Sequence, residues 1–231
     1  MFVHSKGRTK LSEETVVPTI RGVLFDLDGT LGNTLPVCIG AFRKAIEPFA
    51  GRELSDVEIV STFGPSEEGT VHVLAPGHAA EALAAYLHHY AILHDSCPEP
   101  FAGVIEMLTD LKARGVKLAL VTGKGQGSAD ISLARLNLLP FFEHIEVGSP
   151  RGPRKSEAII DILGRWEMEP TAAVYVGDAP SDIPSARRAG TYAVAAAWAA
   201  TAEPELLRAE NPDALFLTLA DFEAWLLPRL A

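Results

Sequence analysis

Short uninterrupted apolar runs alternate along this chain with longer stretches of helical spacing. Val23 to Asp26, Val116 to Thr122, His144 to Gly148, Ala173 to Asp178 and Thr191 to Val194 are predicted strands. Between them, Val104 to Arg114, Ser128 to Leu138, Ser156 to Trp166 and Ser181 to Ala189 are predicted helices. Leu118-Ala119-Leu120-Val121 and Ala173-Val174-Tyr175-Val176 lack the polar alternation of a strand with one wet face, so they suit parallel strands covered on both sides. The rhythm predicts an α/β fold with a doubly wound, Rossmann-like parallel sheet. Residues 33–99 break it, with helical spacing over Thr34 to Phe49, Asp56 to Ser61 and Ala79 to His94, no convincing strand, and Pro98 and Pro100 at the close. The expected organisation is a loose tail over residues 1–19, a core made of 20–32 and 100–231, and an α-helical cap over 33–99. A cap inserted directly after the first strand sits above the carboxyl end of the sheet, where open α/β sheets bind ligands.

Composition narrows the partners. The 231 residues carry 30 acids and a formal charge of -10 without a basic stripe, which argues against a nucleic-acid partner and leaves small anionic substrates dependent on local cations. His4, Lys6, Arg8 and Lys10 interrupt an N-terminus with no apolar stretch, so neither a signal peptide nor a membrane span is expected there. Cys38 and Cys97 have no metal-type spacing and are read as small buried hydrophobes, compatible with a reducing cytoplasm. The cap histidines His72, His78, His88, His89 and His94 lack the spacing of a helical metal site and are read mostly as surface or partly packed groups.

The ends of the predicted strands carry the chemistry. Asp26 and Asp28, two apart after Val23-Leu24-Phe25, face one side while Leu27 turns back into the fold, and Gly29 allows a sharp turn. Two acids held this close call for a divalent cation or a chemical task. The second strand ends in Thr122, followed by Gly123-Lys124-Gly125-Gln126-Gly127, a strand-to-helix turn whose hydroxyl and backbone N–H groups make an anion seat. A third run ends in Gly177-Asp178-Ala179-Pro180-Ser181-Asp182. Lys155 lies between, just before a helix, with Arg151 and Arg154 as alternative cations.

Asp-Leu-Asp-Gly-Thr, Thr122, Lys155 and Gly-Asp-Ala-Pro-Ser-Asp, in that order across residues 20 to 227, resemble the four motifs of the haloacid dehalogenase-like hydrolases, many of which are Mg²⁺-dependent phosphatases. The insertion resembles the helical cap of the phosphoglycolate phosphatase-like branch, and Phe63 to Glu68, including Gly64 and Glu67, looks like its substrate loop. The resemblance implies Asp26 as nucleophile, Asp28 as general acid and base, and Mg²⁺ on Asp26, the Asp28 carbonyl and Asp178. It implies Thr122, Lys155 and the Gly29, Gly123 and Lys124 region as the hold on phosphoryl oxygens, with Asp182 orienting Lys155 or a metal-bound water. The expected substrate is a small phosphorylated metabolite, phosphoglycolate first, with no nucleic-acid or membrane partner. A phosphomutase on the same core is the first alternative and a phospho-accepting or binding protein the second. A receiver domain lacks so large a helical insertion. A dehalogenase leaves Asp28 and Asp178 without a task, and a phosphonate hydrolase needs a cap lysine, for which only Lys44 is available.

Overall fold

A computed structural model describes residues 19–231. The expected tail over residues 1–19 therefore lies, but for its last residue, outside the described residues. Six parallel strands form one sheet: β1 (Gly22–Phe25), β2 (Lys117–Val121), β3 (His144–Glu146), β4 (Ala173–Gly177), β5 (Tyr192–Ala196) and β6 (Ala214–Phe216). Their order across the sheet is β3-β2-β1-β4-β5-β6, so the chain reverses direction of winding at β1. Phe25 pairs with Leu120 on one side and Val176 on the other, which brings the residues following β1, β2 and β4 to the same end of the sheet.

The absence of alternation in these strands has its expected cause. Val23, Phe25, Leu118, Leu120, Val174 and Val176 enter one apolar cluster. Leu24, Ala119, Val121, Ala173 and Tyr175 enter a second, on the opposite face. That second face is covered by α7 (Lys155–Arg165), through Ile159 and Ile162, and α8 (Asp182–Ala189), through Ile183 and Ala186. The first is covered by α5 (Val104–Ala113) and α10 (Leu219–Leu226). The α6 helix (Gln126–Arg135) follows β2, and α9 (Pro204–Ala209) follows β5.

The α-helical cap comprises α1 (Leu35–Ala50), α2 (Asp56–Val60), α3 (Glu67–Leu74) and α4 (Ala79–Leu93). Val37, Phe42 and Ala45 of α1 join Tyr86 and Tyr90 of α4 in the same cluster as Phe25, so cap and core share apolar packing. A Ser55–Glu58 capping box starts α2, with each side chain bonding the other's backbone N–H. The sequence reading missed α3, α9, α10 and β6. In α3, Gly69, Thr70, Val71 and Val73 are poor helix formers. Gly69 is there because a Cβ would strike Pro65 and the Pro150 carbonyl, where the cap closes on the core. Among the described residues no helix is long and apolar enough to cross a membrane.

Candidate active site

Gly29 has φ of 70°, and the amides of Leu31 and Gly32 both donate to the Leu27 carbonyl, so the chain after β1 folds into a tight turn. A Cβ on Gly29 would collide with the Asp178 carboxylate, which shows how closely the turn after β1 approaches the end of β4. One carboxylate oxygen from each of Asp26, Asp178 and Asp182 falls within 4.8 Å of the others. Lys155, the first residue of α7, reaches into this cluster with Nζ 2.7 Å from Asp26 Oδ2 and 2.6 Å from Asp182 Oδ1. Asp182 is fully buried and also accepts from Tyr175 Oη at 3.2 Å and the Ala179 amide at 3.0 Å. Its carboxylate is thus committed to orienting Lys155 and the loop after β4. Arg154, the sequence alternative to Lys155, donates to Glu146 at 2.9 Å, and Arg151 is exposed.

Burial, with Asp182 and Asp28 adding to it against the opposing pull of Lys155, raises Asp26 to about 7. Burial and the charges of Asp26 and Asp182 push Asp178 well above the usual carboxylate range. Burial alone would lower Lys155, yet Asp182 and Asp26 hold it well above its ordinary value, so it is charged. Asp26 and Asp178 are buried, and one ammonium cannot balance three ionised carboxylates, so both hold their protons more tightly. The carboxylate oxygens of Asp26 and Asp178 are of the kind that could hold a hard divalent cation such as Mg²⁺. The Asp28 side chain lies outside this group of three.

Asp28 instead accepts from the Thr34 hydroxyl and lies 3.3 Å from Lys124 Nζ. Lys124 itself departs from the sequence reading, which placed it as a cation on an anion seat. It is buried between core and cap, 2.9 Å from Cys38 Sγ, 4.3 Å from the Tyr90 ring centre and 3.8 Å from Glu67. Burial would lower it, but Asp28, Cys38 and Tyr90 raise it. Cys38 is therefore more than a small hydrophobe, and burial together with Asp28 pushes its thiol up to about 12.

Glu67 is the larger revision. The sequence reading put it in a loop touching the substrate, but it opens α3, is buried, and accepts from the Gly125 amide, the Ser128 hydroxyl and, at 3.3 Å, Tyr86 Oη. Much of the anion seat at the start of α6 is thus taken by a cap carboxylate. Gly125 and Gly127 are small because the cap presses on them: a Cβ on either would come within 3.0 Å of Glu68 or Leu87. Gly64 and Gly123 line the cavity, as does Thr122, whose Oγ1 accepts from the Lys124 amide at 3.2 Å. Sequence reading also missed Thr34 and Cys38 beside Asp28, which are separated from it by a loop and joined to it only by the fold. His94 proves fully buried, 3.2 Å from Ser132 Oγ, and Lys44 is exposed. Glu67→Ala is expected to lower stability by about 2 kcal/mol or more, since three buried donors lose their acceptor; urea unfolding of both proteins measures it.

Asp26, Asp28, Thr122, Lys155 and Asp178 line one cavity of about 480 Å³ between the cap and the carboxyl end of the sheet. A model of the haloacid dehalogenase-like hydrolase family matches residues 23–196. Pyrophosphatase PpaX of Bacillus pumilus is 32% identical over 208 residues, covering 89% of this chain and 96% of that protein. A haloacid dehalogenase-like hydrolase from Streptococcus pneumoniae superposes with a TM-score of 0.74 at 26% identity, over 90% of this chain and 98% of that one. CbbY from Rhodobacter sphaeroides, solved in complex with phosphate, shares the fold at a TM-score of 0.72 and 19% identity, over 88% and 96% of the two chains.

Proposed function

Because this chain belongs to the haloacid dehalogenase-like hydrolase family, and is a phosphatase of that family, we propose that it hydrolyses small phosphate monoesters in the cytoplasm with Mg²⁺ and a phosphorylated Asp26. The observation that carries this reading is Lys155 Nζ at 2.7 Å from Asp26 at the open carboxyl end of the sheet, facing the cavity. Asp26 attacks phosphorus, and the departing alkoxide takes a proton from Asp28. The resulting acyl phosphate is then cleaved by water that Asp28 deprotonates, so the second proton transfer reverses the first. Thr34 fixes the Asp28 carboxyl for both steps. Lys155 favours the ionised form of Asp26, and Thr122 with the Gly123 amide holds the phosphoryl oxygens. When bound, Mg²⁺ supplies positive charge to Asp26, Asp178 and the phosphoryl oxygens. Phosphoglycolate, put first by the sequence resemblance, and pyrophosphate, named for the relatives, are the two substrates that kinship brings forward. The choice between them and other phosphorylated substrates rests with the cap side of the cavity.

Mg²⁺ is expected to raise the melting temperature of the protein by relieving the repulsion among Asp26, Asp178 and Asp182, and to be required for release of phosphate from an aryl phosphate. Thermal unfolding and a phosphate-release assay, each with Mg²⁺ or a chelator, measure both effects. Full turnover in chelator would overturn the proposed metal requirement.

A further inference from the structure

We propose that the cap side of the cavity selects phosphate monoesters whose leaving group is an uncharged, largely apolar alcohol, over substrates whose leaving group is glycolate or a second phosphate. This choice rests on the phosphatase reading above and names its substrate class. The two ends of the cavity are chemically unlike. Asp26, Thr122, Lys155 and Asp178 stand at the core end, while across from them the cap contributes Leu35, Phe42, Val60, Phe63 and Pro65. Val60 and Phe63 are 42% and 36% exposed, so apolar surface stands open in the wall instead of being covered by other side chains. Phe63 stands in this wall with buried Phe42 packed behind it, ring centres 5.7 Å apart and planes 46° apart, an aromatic surface suited to an apolar body. Covering that surface with an apolar group is favourable; covering it with a carboxylate or phosphate is not.

Charge points the same way. A second anion on the leaving group needs its own cation. Lys155 is held by Asp26 and Asp182, and Lys124 by Cys38 and Asp28 with Glu67 at 3.8 Å. Arg154 is held by Glu146 at 2.9 Å and the Val147 carbonyl at 3.1 Å. Among the described residues every cation lining the cavity already has an acidic partner, and Glu67 and Glu203 add negative charge at its wall. A volume of about 480 Å³ is that of a site for an organic ligand with a substantial body, with room beyond the phosphoryl group.

The test compares kcat/KM with Mg²⁺ for benzyl phosphate, hexyl phosphate, phosphoglycolate and pyrophosphate. Benzyl and hexyl phosphate are expected to exceed the other two by about tenfold or more. Phe63→Arg, which places a cation in the apolar wall, is expected to cut kcat/KM for benzyl phosphate by about tenfold and to raise it for phosphoglycolate, inverting the preference. Equal constants, or a preference for phosphoglycolate or pyrophosphate in the unaltered protein, would overturn the proposal. Benzylphosphonate and phosphonoacetate, which cannot be hydrolysed, decide it independently through thermal stabilisation of the Mg²⁺-loaded protein. Stronger stabilisation by benzylphosphonate with no ester turned over keeps the choice of leaving group and removes the phosphatase reading. Stronger stabilisation by phosphonoacetate removes the choice whatever the turnover.

Discussion

Asp26→Asn is expected to lower kcat by about 10⁴-fold or more, because an amide oxygen has neither the charge nor the nucleophilicity to attack phosphorus and no other group takes its place. Folding should survive. Asn keeps the shape of the side chain, and the change removes a buried charge that Lys155 compensates only in part. Lys155 retains Asp182 at 2.6 Å in the variant. Asp28→Asn should act differently, slowing each proton transfer and lowering turnover by about 10²- to 10⁴-fold. Where breakdown is slowed more than formation, the phosphorylated protein accumulates. Quenching with Mg²⁺ and a labelled substrate, then locating the label on the chain, separates the two variants: none on Asp26→Asn, and label on Asp26 for Asp28→Asn. An Asp26→Asn protein with half the original turnover would falsify the nucleophile.

Lys155→Met is expected to destabilise the fold by about 3 to 5 kcal/mol as well as to remove activity, because it leaves the buried carboxylates of Asp26 and Asp182 facing each other without a cation. The loss comes mostly from the stranded charges, so neutralising one of them should restore stability. Asp182→Asn added to Lys155→Met should recover a good part of it, since the amide oxygen still accepts from Tyr175 Oη and the Ala179 amide. A double-mutant cycle by urea unfolding reads the coupling directly. Simple addition of the two single losses would mean that the Lys155–Asp182 contact carries no stability of its own.

The features legible in the sequence were those carried by neighbouring residues. Strands covered on both faces announce themselves by unbroken apolar runs, so β1, β2 and β4 and their polar ends could be read directly. Lys155 was legible only by its order among the other groups. Its preference over Arg154 became a matter of geometry, because Glu146, the last residue of β3, captures the guanidinium. The β6 strand has three residues and α9 six, too few to show a period. Glu67 was misread because its partners at Gly125 and Ser128 lie 58 and 61 residues away, and no local pattern signals such a pairing. Gly125 and Gly127 looked like a phosphate cradle for the same reason. A glycine demanded by a neighbouring helix and one demanded by a ligand leave the same letter in the chain.

Glu68 and Leu87 of the cap press on Gly125 at the end of the loop after β2 and on Gly127 in the first turn of α6, and Pro65 presses with the Pro150 carbonyl on Gly69, a glycine of the cap itself. The surfaces on the two sides of the cleft are therefore cut to one another, residue against absent side chain. Lid and base of this enzyme are not interchangeable parts. Grafting these four helices onto a relative whose loop carries side chains at the positions of Gly125 and Gly127 should hold the graft ajar, whereas a graft carrying this loop with it should seat. Diversification of the leaving-group wall is then confined to positions such as Val60 and Phe63, which face the cavity and are free of that fit.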